Sequence, residues 1–194
     1  VNVMLRSTLV LFDLDDTLLV TDARILLRDP DTDEVVYRLP TDEYRDWKKA
    51  GRTQAFKLDF VEFTSVEEVT KSFLSAKPGP GLDILRDAVG EAEIGILTAR
   101  SSELAVEEAL PRFLAKQGID ITIDPDLIFA IHDPKYPFPS SMTDSERKLQ
   151  IILQLIDGQV FDHVFLIDDD PVHKQVIDSH CKKNKIQNVH VYSV

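Results

Sequence analysis

The chain has 194 residues, enough for one domain with a substantial core and an insertion. Its hydrophobic content of 43% suits a globular protein rather than a disordered one, and no apolar run approaches the ~20 residues that span a bilayer. Twenty-two basic residues against thirty-four acidic ones give a net charge of −12, a surface that repels polyanions on average and leaves nucleic acid only a local basic patch.

The first sixteen residues do not read as a secretory signal, because their apolar run is short, is broken by acid and lacks a small-residue cleavage site. One cysteine, Cys181, cannot form an internal disulfide, so a reducing, cytoplasmic setting is expected.

In chain order, the first element is the stretch at 7–19, STLVLFDLDDTLL. Leu9, Val10, Leu11 and Phe12 form a short apolar run of the kind buried on both faces of a parallel sheet. Residues 23–28 and 35–39 flank the turn-forming DPDTDE and predict a hairpin. Thr41 is placed to cap a helix through Ala50 that packs on Trp47 and stops at Gly51. Residues 57–63 predict a strand, and Ser65 with Glu68 has capping-box spacing for a helix to about Ser75. The break KPGPG at 77–81 reads as the return from an insertion. A helix follows to Val89, then a strand at 94–97. The next helix, 103–117, has Leu104, Leu110, Phe113 and Leu114 on its inner face, and Pro111 should kink or restart it. A strand at 127–131 leads into a loop with three prolines. Thr143 and Glu146 form a second capping box for a helix to Ile156. A strand at 163–167, a helix at 172–183 and a strand at 189–194 complete the pattern. Strands alternating with helices predict a parallel sheet with helices on both faces.

Three of the strands end in chemically interesting residues. Asp13 and Asp15 follow the first one. Two apart in an extended segment they point the same way, and two carboxylates held close need a cation or a shared proton. Taken alone, Asp-x-Asp reads more readily as an exposed acidic turn. The strand IGILTAR at 94–100 ends in Thr98, whose hydroxyl and following amides could form an anion site, or simply an ordinary strand end. The strand VFLIDDDP at 164–171 ends in three acids; helix capping accounts for one of them and poorly for three. Arg100 could bind a substrate anion bidentately or pair with a nearby acid, with the ion pair slightly favoured. Lys148 opens a helix, where a lone lysine is ordinarily solvated; Lys135 and Arg147 are its rivals. Thr17 reads as a loop-shaping residue. The five histidines show no metal-ligand spacing, and there is no Gly-rich phosphate loop.

This set, in this order, resembles the haloacid dehalogenase-like (HAD) superfamily. Asp13-x-Asp15-x-Thr17 matches its first motif, Thr98 the second, Lys148 the third and Asp168-Asp169 the fourth. The resemblance spans residues 7–171, with 21–77 less typical. It implies a Rossmann-like HAD core at 1–20 and 78–194 with the first strand central, and a small flap or cap at 21–77. It also implies an Mg²⁺-dependent phosphohydrolase. Asp13 attacks phosphorus and becomes an aspartyl phosphate. Asp15 serves as general acid and base and gives its backbone carbonyl to the metal. Thr98 and Lys148 contact the transferring phosphate, while Arg100, outside the motifs, is the substrate-binding candidate for a second anionic group. Asp169 is the likelier direct metal ligand of its pair, Asp168 orients waters or lysine, and Asp170 caps the next helix. Mg²⁺ suits such a site as a hard cation with oxygen ligands. The expected substrates are small phosphomonoesters first and nucleic-acid 3′-phosphates second. A phosphate- or metal-binding module without turnover is the alternative outside enzymes, and the intact Asp13–Asp15 pair speaks against it.

Overall fold

The computed structural model describes residues 8–158 and 160–194; of the N-terminal stretch that does not read as a secretory signal, residues 1–7 lie outside the described residues. Its elements are β1 (Thr8–Phe12), β2 (Leu19–Val20), β3 (Ile25–Arg28), β4 (Val35–Leu39), α1 (Thr41–Lys49), β5 (Lys57–Asp59), α2 (Val61–Thr64), α3 (Val66–Leu74), β6 (Lys77–Pro78), α4 (Leu82–Ala88), β7 (Glu93–Thr98), α5 (Glu103–Lys116), a 3-10 turn at Pro125–Leu127, β8 (Ile128–Ala130), α6 (Asp144–Asp157), β9 (His163–Asp168), α7 (Pro171–Lys183) and β10 (Val189–Ser193).

The central sheet is five-stranded, in the order β10-β9-β1-β7-β8, and every pairing in it is parallel. Alternate residues of its strands feed two cores, which is why the strands read as continuous apolar runs. Phe12, Ile94 and Ile96 pack with α3, α4 and α5 on one face. Leu9, Leu11, Leu97 and Leu166 pack with α6 and α7 on the other. The fold is thus Rossmann-like, with β1 at the centre and helices on both faces. No helix of the described residues is long and apolar enough to cross a membrane.

Between β1 and α4 the chain makes an excursion with its own small sheet, ordered β4-β3-β5. It leaves and returns through an antiparallel two-stranded ribbon in which Leu19 faces Pro78 and Val20 faces Lys77. Gly79 lets the returning strand lie on the loop after β1. A Cβ there would come within 2.4 Å of the Thr17 carbonyl oxygen, a contact no side chain tolerates. The last helix of the excursion, α3, does not stand apart: Val69 and Phe73 are fully buried in the main core beside α5.

Several local expectations change in detail. Pro40, not Thr41, precedes the first turn of α1. The predicted strand at 57–63 shortens to β5, and α2 takes up its second half. Pro111 is carried inside one continuous α5. Leu104, expected inside, is 58% exposed; it lies in the first turn of α5, one position before Ala105, where the inner face begins. The capping box of Thr143 and Glu146 is complete, with hydrogen bonds in both directions.

Candidate active site

The carboxyl ends of three adjacent strands, β9, β1 and β7, converge on one cleft of about 620 Å³. In open α/β sheets this end of the strands is where ligands bind. Asp13 follows β1 and keeps the ladder going by donating its amide to the Ile167 carbonyl at 3.0 Å. The chain then turns sharply through Leu14–Leu19, with Asp16 in the left-handed region at φ 63°, a conformation aspartate tolerates better than most residues. That turn presents Asp13 and Asp15 to the cleft.

Asp13 is buried, as are Lys148 and Asp168. The Lys148 ammonium donates to Asp13 Oδ1 at 3.2 Å and to Asp168 Oδ2 at 2.7 Å. The helix that carries Lys148 begins at its capping box, so the lysine lies in the second turn of a fixed helix and reaches inward, where a solvated lysine would have pointed out. Asp168 is further held by His173 Nδ1 at 3.0 Å and by the Asp170 amide at 2.9 Å. Asp169 accepts the Thr17 hydroxyl at 3.0 Å. Asp170 caps α7, accepting the Val172 amide at 2.9 Å.

These environments drive the carboxyls apart. Burial pushes the Asp13 pKa well above the ordinary carboxylate value, reinforced by Asp168, Asp15 and Asp169 and opposed by Lys148. Burial would also raise Asp168, but the His173 hydrogen bond and the Lys148 charge hold it down at about 2. Lys148 is raised: its burial works against the charge, and Asp13 and Asp168 outweigh that. The cluster is therefore short of positive charge at Asp13 while Asp168 is fully matched.

One carboxylate oxygen from each of Asp13, Asp168 and Asp169 lies within 4.8 Å of the others. An all-oxygen, all-carboxylate set suits a hard divalent cation such as Mg²⁺. The Asp15 side chain stands outside this trio. Both its oxygens are held by Arg100, at 2.9 Å from Nε and 2.8 Å from Nη2. Arg100 is itself buried between elements, its guanidinium carbon 4.9 Å from the Phe73 ring centre and 5.2 Å from that of Phe63. Among the described residues its Nη1 has no hydrogen-bond acceptor, and the guanidinium lies over the two aromatic faces instead. Thr98 is buried at the end of β7, lines the cleft, and accepts the Arg100 amide at 3.3 Å. The sequence-derived residues Asp13, Asp15, Thr98, Arg100, Lys148, Asp168 and Asp169 thus share one cleft.

Lys135 and Arg147, the rival cations, are engaged elsewhere. Lys135 pairs with Glu103. Arg147 donates to the carbonyls of Met142, Ile131 and Pro139. Two contributions escaped the sequence reading. His173, read as a surface or packing residue, is buried against Asp168; its signal was its place in the first turn of the helix that follows the acidic strand. Thr17 bridges toward both acidic strand ends, its hydroxyl 3.5 Å from Asp13 Oδ2 as well as bonded to Asp169.

No family model matches the sequence, and no curated protein matches it. Among solved structures, a chain of the Pnkp1/Rnl/Hen1 complex is 21% identical over 97% of this chain, with a TM-score of 0.43. The match covers 45% of that chain, so this sequence spans less than half its length. The HAD domain of the effector protein Lem4 from Legionella pneumophila is 16% identical, with a TM-score of 0.38, over 96% of this chain and 85% of its own.

Proposed function

We propose that this chain is a HAD-type, Mg²⁺-dependent phosphohydrolase that cleaves phosphomonoesters through an aspartyl phosphate on Asp13. The observation that carries the reading is the convergence of Asp13, Asp168 and Asp169 beside the buried Lys148 at the ends of adjacent parallel strands. A phosphate ester repels an anionic nucleophile, so charge must be neutralised before a carboxylate can attack. Asp13, Asp168 and Asp169 would hold the cation, joined by the Asp15 backbone carbonyl that the resemblance assigns to it. When bound, the cation supplies the positive charge that Asp13 lacks.

In this mechanism Asp13 attacks phosphorus, the ester bond breaks toward the alcohol, and Asp15 gives that alcohol its proton. Asp15 then takes a proton from the water that releases phosphate from Asp13. The Arg100 pair leaves lone pairs on both Asp15 oxygens, so the base half needs no rearrangement. The acid half needs one oxygen freed from Arg100 and carrying the proton taken from water in the preceding turnover. Lys148 holds the orientation of Asp13 and offsets the charge of the transferring group. Thr98 offers its hydroxyl to a phosphate oxygen. Residues 21–77 act as the cover over this site.

The test is hydrolysis of p-nitrophenyl phosphate with Mg²⁺ and with chelator. Metal-dependent turnover that Asp13→Asn abolishes, with acid-stable-fold controls by circular dichroism, is the expected result. Turnover that persists in Asp13→Asn would remove Asp13 as the nucleophile; parent protein without any turnover, but binding Mg²⁺ and phosphate, would favour a binding module.

A further inference from the structure

Four arginine and lysine side chains line the cleft: Arg45, Lys48, Arg100 and Lys148. The two from the core are committed. Lys148 is bonded to Asp13 and Asp168, and Arg100 holds Asp15 with two nitrogens. The other two belong to α1 in the excursion. They are three residues apart and so lie on one face of the helix. Both are exposed, and neither forms an ion pair among the described residues. Their helix is not short of acids that could pair with them. Asp42 also faces the cleft, but its carboxylate accepts the Glu43 amide at 2.9 Å in the first turn. Asp16, in the loop that carries Asp13 and Asp15, lines the same cleft. Tyr44 and Phe60, an edge-to-face pair with ring centres 5.7 Å apart, line the same cleft.

We infer that Arg45 and Lys48 form a second anion-binding subsite, and that the preferred substrate is a small phosphomonoester carrying a second anionic group, a phosphate or a carboxylate, away from the scissile phosphate. This rests on the phosphatase reading above and names the substrate class for that site. Three features carry it. The core's own cations are engaged by Asp13, Asp15 and Asp168, which leaves a second anion to be met from the other wall. The excursion adds two unpaired cations on a wall that also offers aromatic faces for the body of the molecule. And a cleft of about 620 Å³ is the size that encloses a small molecule. On a protein of net charge −12, such a pair also offsets the field that would turn a multiply charged substrate away.

The experiment compares kcat/KM for matched pairs: phenyl phosphate against 3-carboxyphenyl phosphate, and adenosine 3′-monophosphate against adenosine 3′,5′-bisphosphate. The first pair tests a carboxylate and the second a phosphate. The parent protein should favour the more charged member of at least one pair by about 5–20-fold at low salt, the effect expected of two partly exposed charge contacts, and salt should shrink that ratio. In the doubly substituted Arg45→Ala/Lys48→Ala protein the ratio should fall to about one. Lys49→Ala, on a residue outside the cleft, should keep it. Ratios near one for both pairs in the parent, or a ratio that survives the double substitution, would overturn the subsite. If the parent turns over none of the four compounds, the phosphatase reading is what fails. Calorimetric titration of adenosine 3′,5′-bisphosphate then decides the subsite alone: weaker binding to the double variant supports it, and equal binding overturns it.

Discussion

Asp13 and Asp168 share one lysine, yet their surroundings move them in opposite directions, and stability should show it. Asp13 is an acid whose folded pKa lies above its ordinary value. The unfolded chain releases that proton first, so without metal the charged form costs stability as pH rises past the ordinary carboxylate range. Asp13→Asn should therefore melt above the parent at pH 7 in chelator. The gap should close as pH falls below the ordinary carboxylate value, where Asp13 holds its proton in both states, and narrow when Mg²⁺ is added to the parent. A variant that melts below the parent at pH 7 in chelator would mean that Asp13 is not electrostatically frustrated. Asp168 runs the other way. With a folded pKa of about 2, its contribution is fully present above the unfolded value near 4 and is lost as pH falls through about 2. Asp168→Asn removes a buried partner of Lys148 and should cost ~3–5 kcal/mol at neutral pH. Urea unfolding at pH 7 and pH 3 should show that penalty shrinking in acid; a penalty that does not change with pH would assign it to packing.

At the scale of elements, the excursion and the core meet at Arg100. The guanidinium comes from the end of β7, its carboxylate partner from the loop after β1, and its aromatic faces from α2 and α3. Phe63, half-buried, is the accessible side of that sandwich. Phe63→Leu should loosen Arg100 and with it Asp15, at ~0.5–2 kcal/mol for a partly desolvated cation–π contact. The expected outcome is a kcat lowered about 2- to 30-fold for alkyl phosphates and less for p-nitrophenyl phosphate, whose leaving group needs no proton, with Mg²⁺ affinity unchanged and Phe63→Tyr restoring the rate. Equal losses on both substrates would place Phe63 in substrate binding instead. This connection was invisible in the sequence, because nothing local links a phenylalanine at 63 to an arginine at 100. The strand ends were legible for the opposite reason: each is a short apolar run closed by a polar residue, a pattern written within a few positions. The Thr143 capping box likewise placed the start of α6 to the residue, and with it the height of Lys148. Burial of that lysine was not legible, since only the fold brings Asp13 and Asp168 to its ammonium. The excursion was legible as a hairpin and helices but not in its packing: Phe73 belongs to the main core through α5, a partner thirty residues further along.

For the whole molecule, charge decides how large a substrate the cleft can serve. The net charge of −12 acts beyond the cleft, over a Debye length of ~8–10 Å at ordinary salt. A small anion inside the cleft meets Arg45, Lys48 and the core cations. A polyanion must also lie along the outer surface, where acids outnumber bases. The candidates for a local basic patch next to the site do not form one: Lys135 is paired with Glu103, Arg147 is turned to backbone carbonyls, and Arg100 is buried on Asp15. A 3′-phosphorylated oligonucleotide should therefore gain nothing over a nucleoside bisphosphate. Nucleic-acid binding that neutralises several phosphates weakens steeply with salt, which makes the comparison discriminating. Measured with Mg²⁺ at low and moderate ionic strength, kcat/KM for a 3′-phosphorylated decamer should stay at or below that for adenosine 3′,5′-bisphosphate, with a similar, shallow salt dependence for both. An efficiency on the decamer that is tenfold higher and collapses as salt rises would show that a polyanion track exists on this acidic surface, and would make nucleic-acid ends the substrate.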